Sequence, residues 1–529
     1  MRTKIYIFCL MFMLPFCVHA QRDAATVLAE LRDAEFDVKS ALIGELESSS
    51  DHAVLALLKA MLAGDLYYLK DGGRPVLGSV SDEGVVVRDA LTGEQAGVVD
   101  KRELKKFTLN NTLREQLRAV IARLSLNSND RAMRRAAVKE LIGNMGETQA
   151  EQVRISIAAE KDHEIRSLME IAIALVEAGS NDEARQLSAI SKLSDSLEPA
   201  ALARLKQLSD GGDGEVSQAA NRAIAQIEGR LNLYASAETV FFGLSLGSVL
   251  LLSAIGLAIT FGVMGVINMA HGELMMIGAY TTYVVQLLMP NTIDYSLFVA
   301  VPLAFIVAGL VGIGIERGVI RFLYGRPLET LLATFGISLI LQQAVRTIFS
   351  PLNRSVATPS WMSGSWEINP ALSLTYNRLY IIIFSLFVFA ALLLILKRTA
   401  LGLKVRAVSQ NRQMAQAMGV RSGWVDAMTF GLGSGIAGVA GVALSQLTNV
   451  GPNLGQAYII DSFLVVVLGG VGNLWGTFVA AMSLGVFNKL MEPWVGAVLA
   501  KILLLVLIIL FIQKRPRGLF PQRGRVVES

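Results

Sequence analysis

The sequence predicts an all-α polytopic membrane protein, with about eight hydrophobic segments of which one is re-entrant, preceded by an exported, mainly α-helical domain carrying a small β insertion. The division shows first in charge: residues 21–235 hold 27 Lys and Arg against 34 Asp and Glu, whereas residues 236–529 hold 19 against 10. Only 29 of the last 294 residues are charged, and the apolar runs among them reach the roughly 20 residues that a bilayer crossing needs. With 53% hydrophobic residues overall, the chain is neither disordered nor collagen-like. The expected domains are 1–20, 21–235 and 236–529.

Residues 1–20 read as a signal peptide. Arg2 and Lys4 precede an apolar run over 5–18, and Val18-His19-Ala20 places a small residue at the cleavage position. The run is short for a span and Pro15 interrupts it, so cleavage after Ala20 is expected over an uncleaved anchor. Both cysteines, Cys9 and Cys17, lie in this segment, so the mature chain has no thiol for a disulfide or a metal. Export puts residues 21–235 in the periplasm of a bacterium.

In that domain, apolar residues recur at helical spacing from Thr26 to Leu69. Between Asp71 and Phe107 the glycines, Pro75 and the short Val-rich runs at 76–80, 85–87 and 93–99 read as strands and turns. Helical pattern returns over 113–227, where segments starting at Asp130, Asp162 and Asp213 align, each Asp suiting an N-cap. The recurrence fits HEAT-type repeats or a plain irregular bundle. His52 and His163 are isolated and the acidic residues scattered, so the domain reads as a docking or structural module without catalytic machinery.

The apolar segments run over 240–266, 267–289, 297–320, 328–349, 379–396, 425–447, 459–487 and 495–512. Arg317, Arg321 and Arg326, the basic residues of 397–421, and the tail from Lys514 to Arg525 mark cytoplasmic loops. A chain that starts outside and finishes inside crosses an odd number of times, so one segment is incomplete. The expected one is 459–487, broken at Gly469-Gly470-Val471-Gly472-Asn473, because irregular backbone at membrane depth must be buried in protein or line a wet cavity. The alternative is the segment near Ile267.

Polar residues within the spans are few. Thr334, Ser338, Gln342 and Arg346 recur every four residues and form one stripe, facing the bundle interior as a pathway lining or as interhelical hydrogen bonds. Asn268 and His271 would share a helical face, with Glu273 turned away from it. The candidate pathway set is therefore Asn268, His271, Thr334, Ser338 and Gln342. Gly431, Ser434, Gly435, Gly438 and Gly441 read as a close-packing face. In the inner loop, Leu401, Val405 and Val408, then Met414, Ala417 and Met418, predict two short amphipathic helices presenting apolar knobs among cations. They suit docking into a groove of a soluble partner or lying on anionic headgroups.

The stretch from Gly256 to Glu273 (GLAITFGVMGVINMAHGE), Leu332 to Gln342 (LATFGISLILQ), Val467 to Asn473 (VLGGVGN), Arg515 to Phe520 (RPRGLF) and this loop together resemble the permease subunits of the branched-chain amino acid ABC importer family, in order and across 236–529. The long exported extension departs from the amino acid permeases and, with the tail, is similar to the family's urea permeases. The resemblance implies a multi-pass inner-membrane subunit. Its implied partners are a second permease subunit, cytoplasmic ABC ATPase subunits, a periplasmic substrate-binding protein and membrane lipid, with no nucleic acid. It also implies that Ala400, Gly402, Arg406, Ala407 and Gly419 couple the chain to the ATPase. No cofactor or metal is expected on this chain, which has no phosphate-binding Gly-x-x-x-x-Gly-Lys-[Ser/Thr] loop, so ATP is used by a partner.

Urea is the expected solute, with branched-chain amino acids or short amides as the alternative. A passive urea channel or an ion-coupled transporter would work without the inner loop. A sensor would need an inner signalling domain, for which the loop leaves no room, and an enzyme would need a catalytic motif that the spans lack.

Overall fold

The computed structural model describes residues 24–520, apart from 33, 48–51, 71–73, 82–83, 91–93, 127, 143–144 and 212–213. The expected signal peptide, both cysteines and Asp213 lie outside the described residues. Residues 1–228 fall in one compact unit and 229–529 in another.

In the first unit, α1 (Ala24–Leu31), α2 (Phe36–Glu47) and α3 (His52–Ala63) lead into an antiparallel sheet. Its strands are β1 (Leu66–Leu69), β2 (Pro75–Ser81), β3 (Gly84–Asp89), β4 (Gln95–Val99) and β5 (Leu104–Lys106), in the order β4-β3-β2-β1-β5. The helical reading through Leu69 is thus corrected: Gly64, at φ +82°, ends α3, and after Asp65 the residues Leu66–Leu69 pair as β1. Leu28, Leu31, Ile43, Leu57, Leu58 and Tyr68 share one buried core with Leu113 and Leu117, and the Tyr68 hydroxyl donates to the Leu28 carbonyl at 3.0 Å.

Six helices follow: α4 (Asn111–Leu126), α5 (Arg131–Leu141), α6 (Glu147–Ala159), α7 (His163–Glu177), α8 (Glu183–Leu193) and α9 (Pro199–Ser209). Asp130 and Asp162 cap α5 and α7, each side chain accepting from a first-turn N–H at 2.9 Å. Asp182 caps α8 in the same way. The starts of α5 and α7 are tied by Arg131 to Asp162 (2.5 Å) and to Glu164 (2.6 Å), so these two helices begin side by side. α10 (Glu215–Met264) begins in this unit and ends in the second.

The second unit continues with α11 (His271–Leu288), α12 (Ile293–Gly318), α13 (Pro327–Phe349) and a hairpin of β6 (Ser365–Asn369) and β7 (Leu372–Thr375). Then come α14 (Tyr376–Arg398), α15 (Ala400–Gln410), α16 (Arg412–Ala417), α17 (Ser422–Ser445), α18 (Leu454–Gly469), α19 (Leu474–Val495) and α20 (Ala497–Lys514). Among the described residues seven helices are long and apolar enough to cross a membrane: α10, α12, α13, α14, α17, α19 and α20. The segment expected over 459–487 is two helices, of which α19 has the length of a span, and the expected segment that is not among the seven is 267–289, the alternative near Ile267.

α17 is the almost wholly buried centre, packed against α11 and α12. Its glycines allow this approach: Gly438 lies against the Ala304 carbonyl of α12 and the backbone of Gly278 on α11. Gly441 faces Met275, and Gly435 faces Phe305.

Candidate functional site: a buried polar set and an inner helical pair

α10 stops at Met264, and Gly265, at φ +68°, turns the chain out of the helix. Residues 265–270 are irregular, and Asn268 Oδ1 accepts from the Ala270 N–H at 3.0 Å just before α11 starts. Asn268 and His271 therefore do not share a helical face, as their spacing in an unbroken helix required. His271 opens α11 and turns to α10, its Nε2 lying 2.9 Å from the Ser253 carbonyl. A carbonyl only accepts, so Nε2 carries a proton, and Nδ1 has no partner among the described residues.

Glu273 turns the other way, toward α13. Its Oε1 accepts from Ser338 Oγ at 3.0 Å and from Gln342 Nε2 at 2.7 Å. One turn earlier on α13, Thr334 Oγ1 accepts from the Met269 N–H at 3.1 Å, satisfying a backbone donor in the irregular link. Thr334, Ser338 and Gln342 are all buried. Arg346, the fourth residue of the stripe, is half-buried and donates to Asn453 Oδ1 at 2.8 Å. The stripe thus binds α13 to the break before α11, and Glu273 is its hub. The signal for that hub was available: a carboxyl group in an apolar helix is expensive unless it faces partners. Among the described residues Glu273 Oε2 and Asn268 Nδ2 are buried with no hydrogen-bond partner, so this set retains polar atoms that a guest could pair with.

The second break divides α18 from α19. Gly470 and Gly472 have φ +101° and +81°, and Asn473 caps α19 by accepting from the N–H groups of Trp475 (3.1 Å) and Gly476 (3.2 Å). The end of α18 leaves carbonyls without helical partners, and residues 515–520 supply them. Leu519 N–H donates to the Leu468 carbonyl at 2.8 Å, Phe520 N–H to the Gly469 carbonyl at 3.2 Å, and Asn473 Nδ2 donates to the Phe520 carbonyl at 3.1 Å.

The loop over 397–421 forms the two expected helices, α15 and α16; α16 shows its expected apolar face outward and α15 does not. Val405, Val408 and Ala415 are buried with Val425 of α17, and Leu401 packs on this cluster, so the first set of expected knobs points inward. The exposed apolar side chains include Leu403, Met414, Ala417 and Met418. The helices pair with the start of α17 instead of standing free, and that contact claims the wider apolar stripe of α15. Of the residues expected to couple, Ala400 and Gly419 are exposed, Gly419 at φ +85°, and Ala407 is half-buried. Gly402 is buried where a Cβ would strike the Leu396 backbone, and Arg406 Nη1 donates to the Leu396 carbonyl at 2.9 Å. Both hold α15 folded back on α14. Arg412 forms a two-pronged pair with the buried Asp426 of α17, its guanidinium 4.0 Å from the Tyr324 ring centroid. That pair was not foreseen, because the partners sit 14 residues apart in different elements.

Comparison with known proteins places residues 239–512 in the family model described as branched-chain amino acid transport system / permease component. The high-affinity branched-chain amino acid transport system permease proteins LivH of Salmonella typhimurium and of Escherichia coli are each 32% identical over 292 residues, covering 53% of this chain and 94% of theirs. Protein BraD of Pseudomonas aeruginosa, of the same description, is 30% identical over 287 residues, 52% of this chain and 93% of its own. No solved structure matches the chain.

Proposed function

From the premise that the chain belongs to the family of branched-chain amino acid transport system permease components, we propose that it is the membrane-spanning permease subunit of an ABC importer for a small polar solute. The observation that carries this reading is the helical pair α15–α16, braced on α14 and α17 and leaving Met414 and Met418 exposed beside cationic side chains. An ATPase groove would receive the exposed Ala400, Met414, Met418 and the Gly419 turn, while Gly402, Arg406 and Ala407 keep α15 in place to pass on the push. A second permease, a periplasmic binding protein and separate ATPase chains complete the assembly. Residues 21–235 would then stand in the periplasm, and ATP would be hydrolysed on partner chains.

Urea is the solute this reading prefers. It is small and neutral, and a path with hydrogen-bonding groups such as Asn268, His271, Thr334, Ser338 and Gln342 suits it. The long extension before the spans favours the same branch of the family. The names of LivH and BraD support the second reading, branched-chain amino acids. The deciding experiment is uptake of radiolabelled urea and leucine by vesicles containing the whole assembly. ATP-dependent urea uptake supports the first reading, and leucine without urea replaces it by the second. Uptake by the chain alone, or uptake that survives deletion of 397–421, overturns the importer itself.

A further inference from the structure

A cavity of about 440 Å³ opens where the ends of α10 and α14, the helix α15 and the α18–α19 break meet. One part of its wall is apolar, with Ile259, Leu393 and Leu396. The other is polar, with Lys397, Arg406 and Ser409, and no carboxylate lines it. Among the described residues neither cation makes an ion pair: the nearby carboxylate Asp426 is taken by Arg412, and Arg406 spends one donor on the Leu396 carbonyl. An arginine fork has five N–H donors, so most of it is unused. No Asp or Glu occurs between Lys397 and Val425 to offset the charge.

We propose that this cavity binds one anionic phospholipid, its phosphate held by Lys397 and Arg406 and an acyl chain lying on Ile259, Leu393 and Leu396. Basic pockets between the inner ends of spanning helices recognise lipid phosphates in this way. A free phosphate would satisfy the two cations and leave the apolar wall against water, whereas a phospholipid covers both. Since Arg406 also braces α15 on α14, the bound headgroup touches the element that receives the ATPase in the reading above. The inference rests on that reading for the leaflet alone.

The test measures lipid retention directly, without transport. The purified assembly in nanodiscs of phosphatidylethanolamine with a minor share of phosphatidylglycerol is analysed by native mass spectrometry. Selective retention of phosphatidylglycerol is expected, reduced about thirtyfold in K397Q/R406Q, since each basic residue contributes about fivefold. K397R/R406K, which keeps both charges, and R398Q, outside the cavity, should retain the lipid as the natural chain does. Equal retention of the two lipids, or retention unchanged in K397Q/R406Q, overturns the proposal. Displacement of phosphatidylglycerol by millimolar inorganic phosphate assigns the cavity to free phosphate and overturns the lipid source. If K397Q/R406Q fails to assemble, K397Q alone decides, with an expected loss of about fivefold.

Discussion

Glu273 takes both of its hydrogen bonds through a single oxygen, from Ser338 and Gln342, in surroundings from which water is excluded. Removing either donor leaves a buried carboxyl group less satisfied, which costs about 1–3 kcal/mol. Ser338→Ala and Gln342→Ala should each lower the melting temperature of the purified assembly. Because the two share one acceptor and only the double variant strips it of both donors, the two losses should not simply add, and full additivity in the melting curves would remove Glu273 from its place as hub. A second carboxylate, outside the membrane spans, sets a pH dependence. Arg134 beside Glu160 (2.8 Å), with backbone donors from Lys161 and Asp162, holds that carboxyl below its ordinary value of 4.5. A depressed value contributes stability that is complete above the ordinary carboxylate range and fades as pH falls through the lowered one. Glu160→Gln should therefore destabilise the chain by about 1 kcal/mol at neutral pH. The gap between the variant and the natural chain should close in acid, as read from paired thermal melts between pH 7 and pH 3.

At the scale of elements, α11, α12 and α17 approach so closely that side chains are excluded between them. A methyl group at Gly278 would fall on the Gly438 backbone, whereas one at Gly314 meets nothing within 4 Å. Gly278→Ala should cost about 3 kcal/mol or more and sharply reduce the yield of folded protein. Gly314→Ala on α12 should leave yield and melting unchanged, and equal behaviour of the two would refute the packing argument. These elements were the legible part of the sequence, because length and apolarity alone mark a span and small residues at helical spacing mark a close contact. The breaks were legible too, at Gly470 and Gly472, where glycines interrupt an apolar run. The strands β1 and β5 were not: each is three or four residues long, and β1 continues the apolar rhythm of α3. Nor was the inward turn of Val405 and Val408, since periodicity shows that a helix has an apolar face but not which neighbour covers it. The stripe on α13 was foreseen as a stripe, while its partner Glu273 lies 65 residues away from Ser338 and only the fold joins them.

Taken as a whole, the second unit ties the α15–α16 pair to its central helix through a buried ion pair as well as through apolar packing. Arg412 on α16 grips Asp426 near the start of α17, and α17 in turn contacts α11 and α12 along its length. A push on α16 therefore reaches the helix around which the unit is built. Arg412→Ala strands a buried carboxylate and should reduce ATP-driven uptake in vesicles at least about tenfold, with ATP hydrolysis by the assembly less affected. Arg412→Ala with Asp426→Ala should recover part of the uptake, and a double variant no better than the single would show that the pair is not the link. The clamp of Leu519 and Phe520 on the end of α18 has a consequence in time. Those residues leave the ribosome after every helix of the unit, so during synthesis the α18–α19 junction waits with open carbonyls. A product shortened before residue 519 would lack the donors for the Leu468 and Gly469 carbonyls and leave that junction open even with α20 complete.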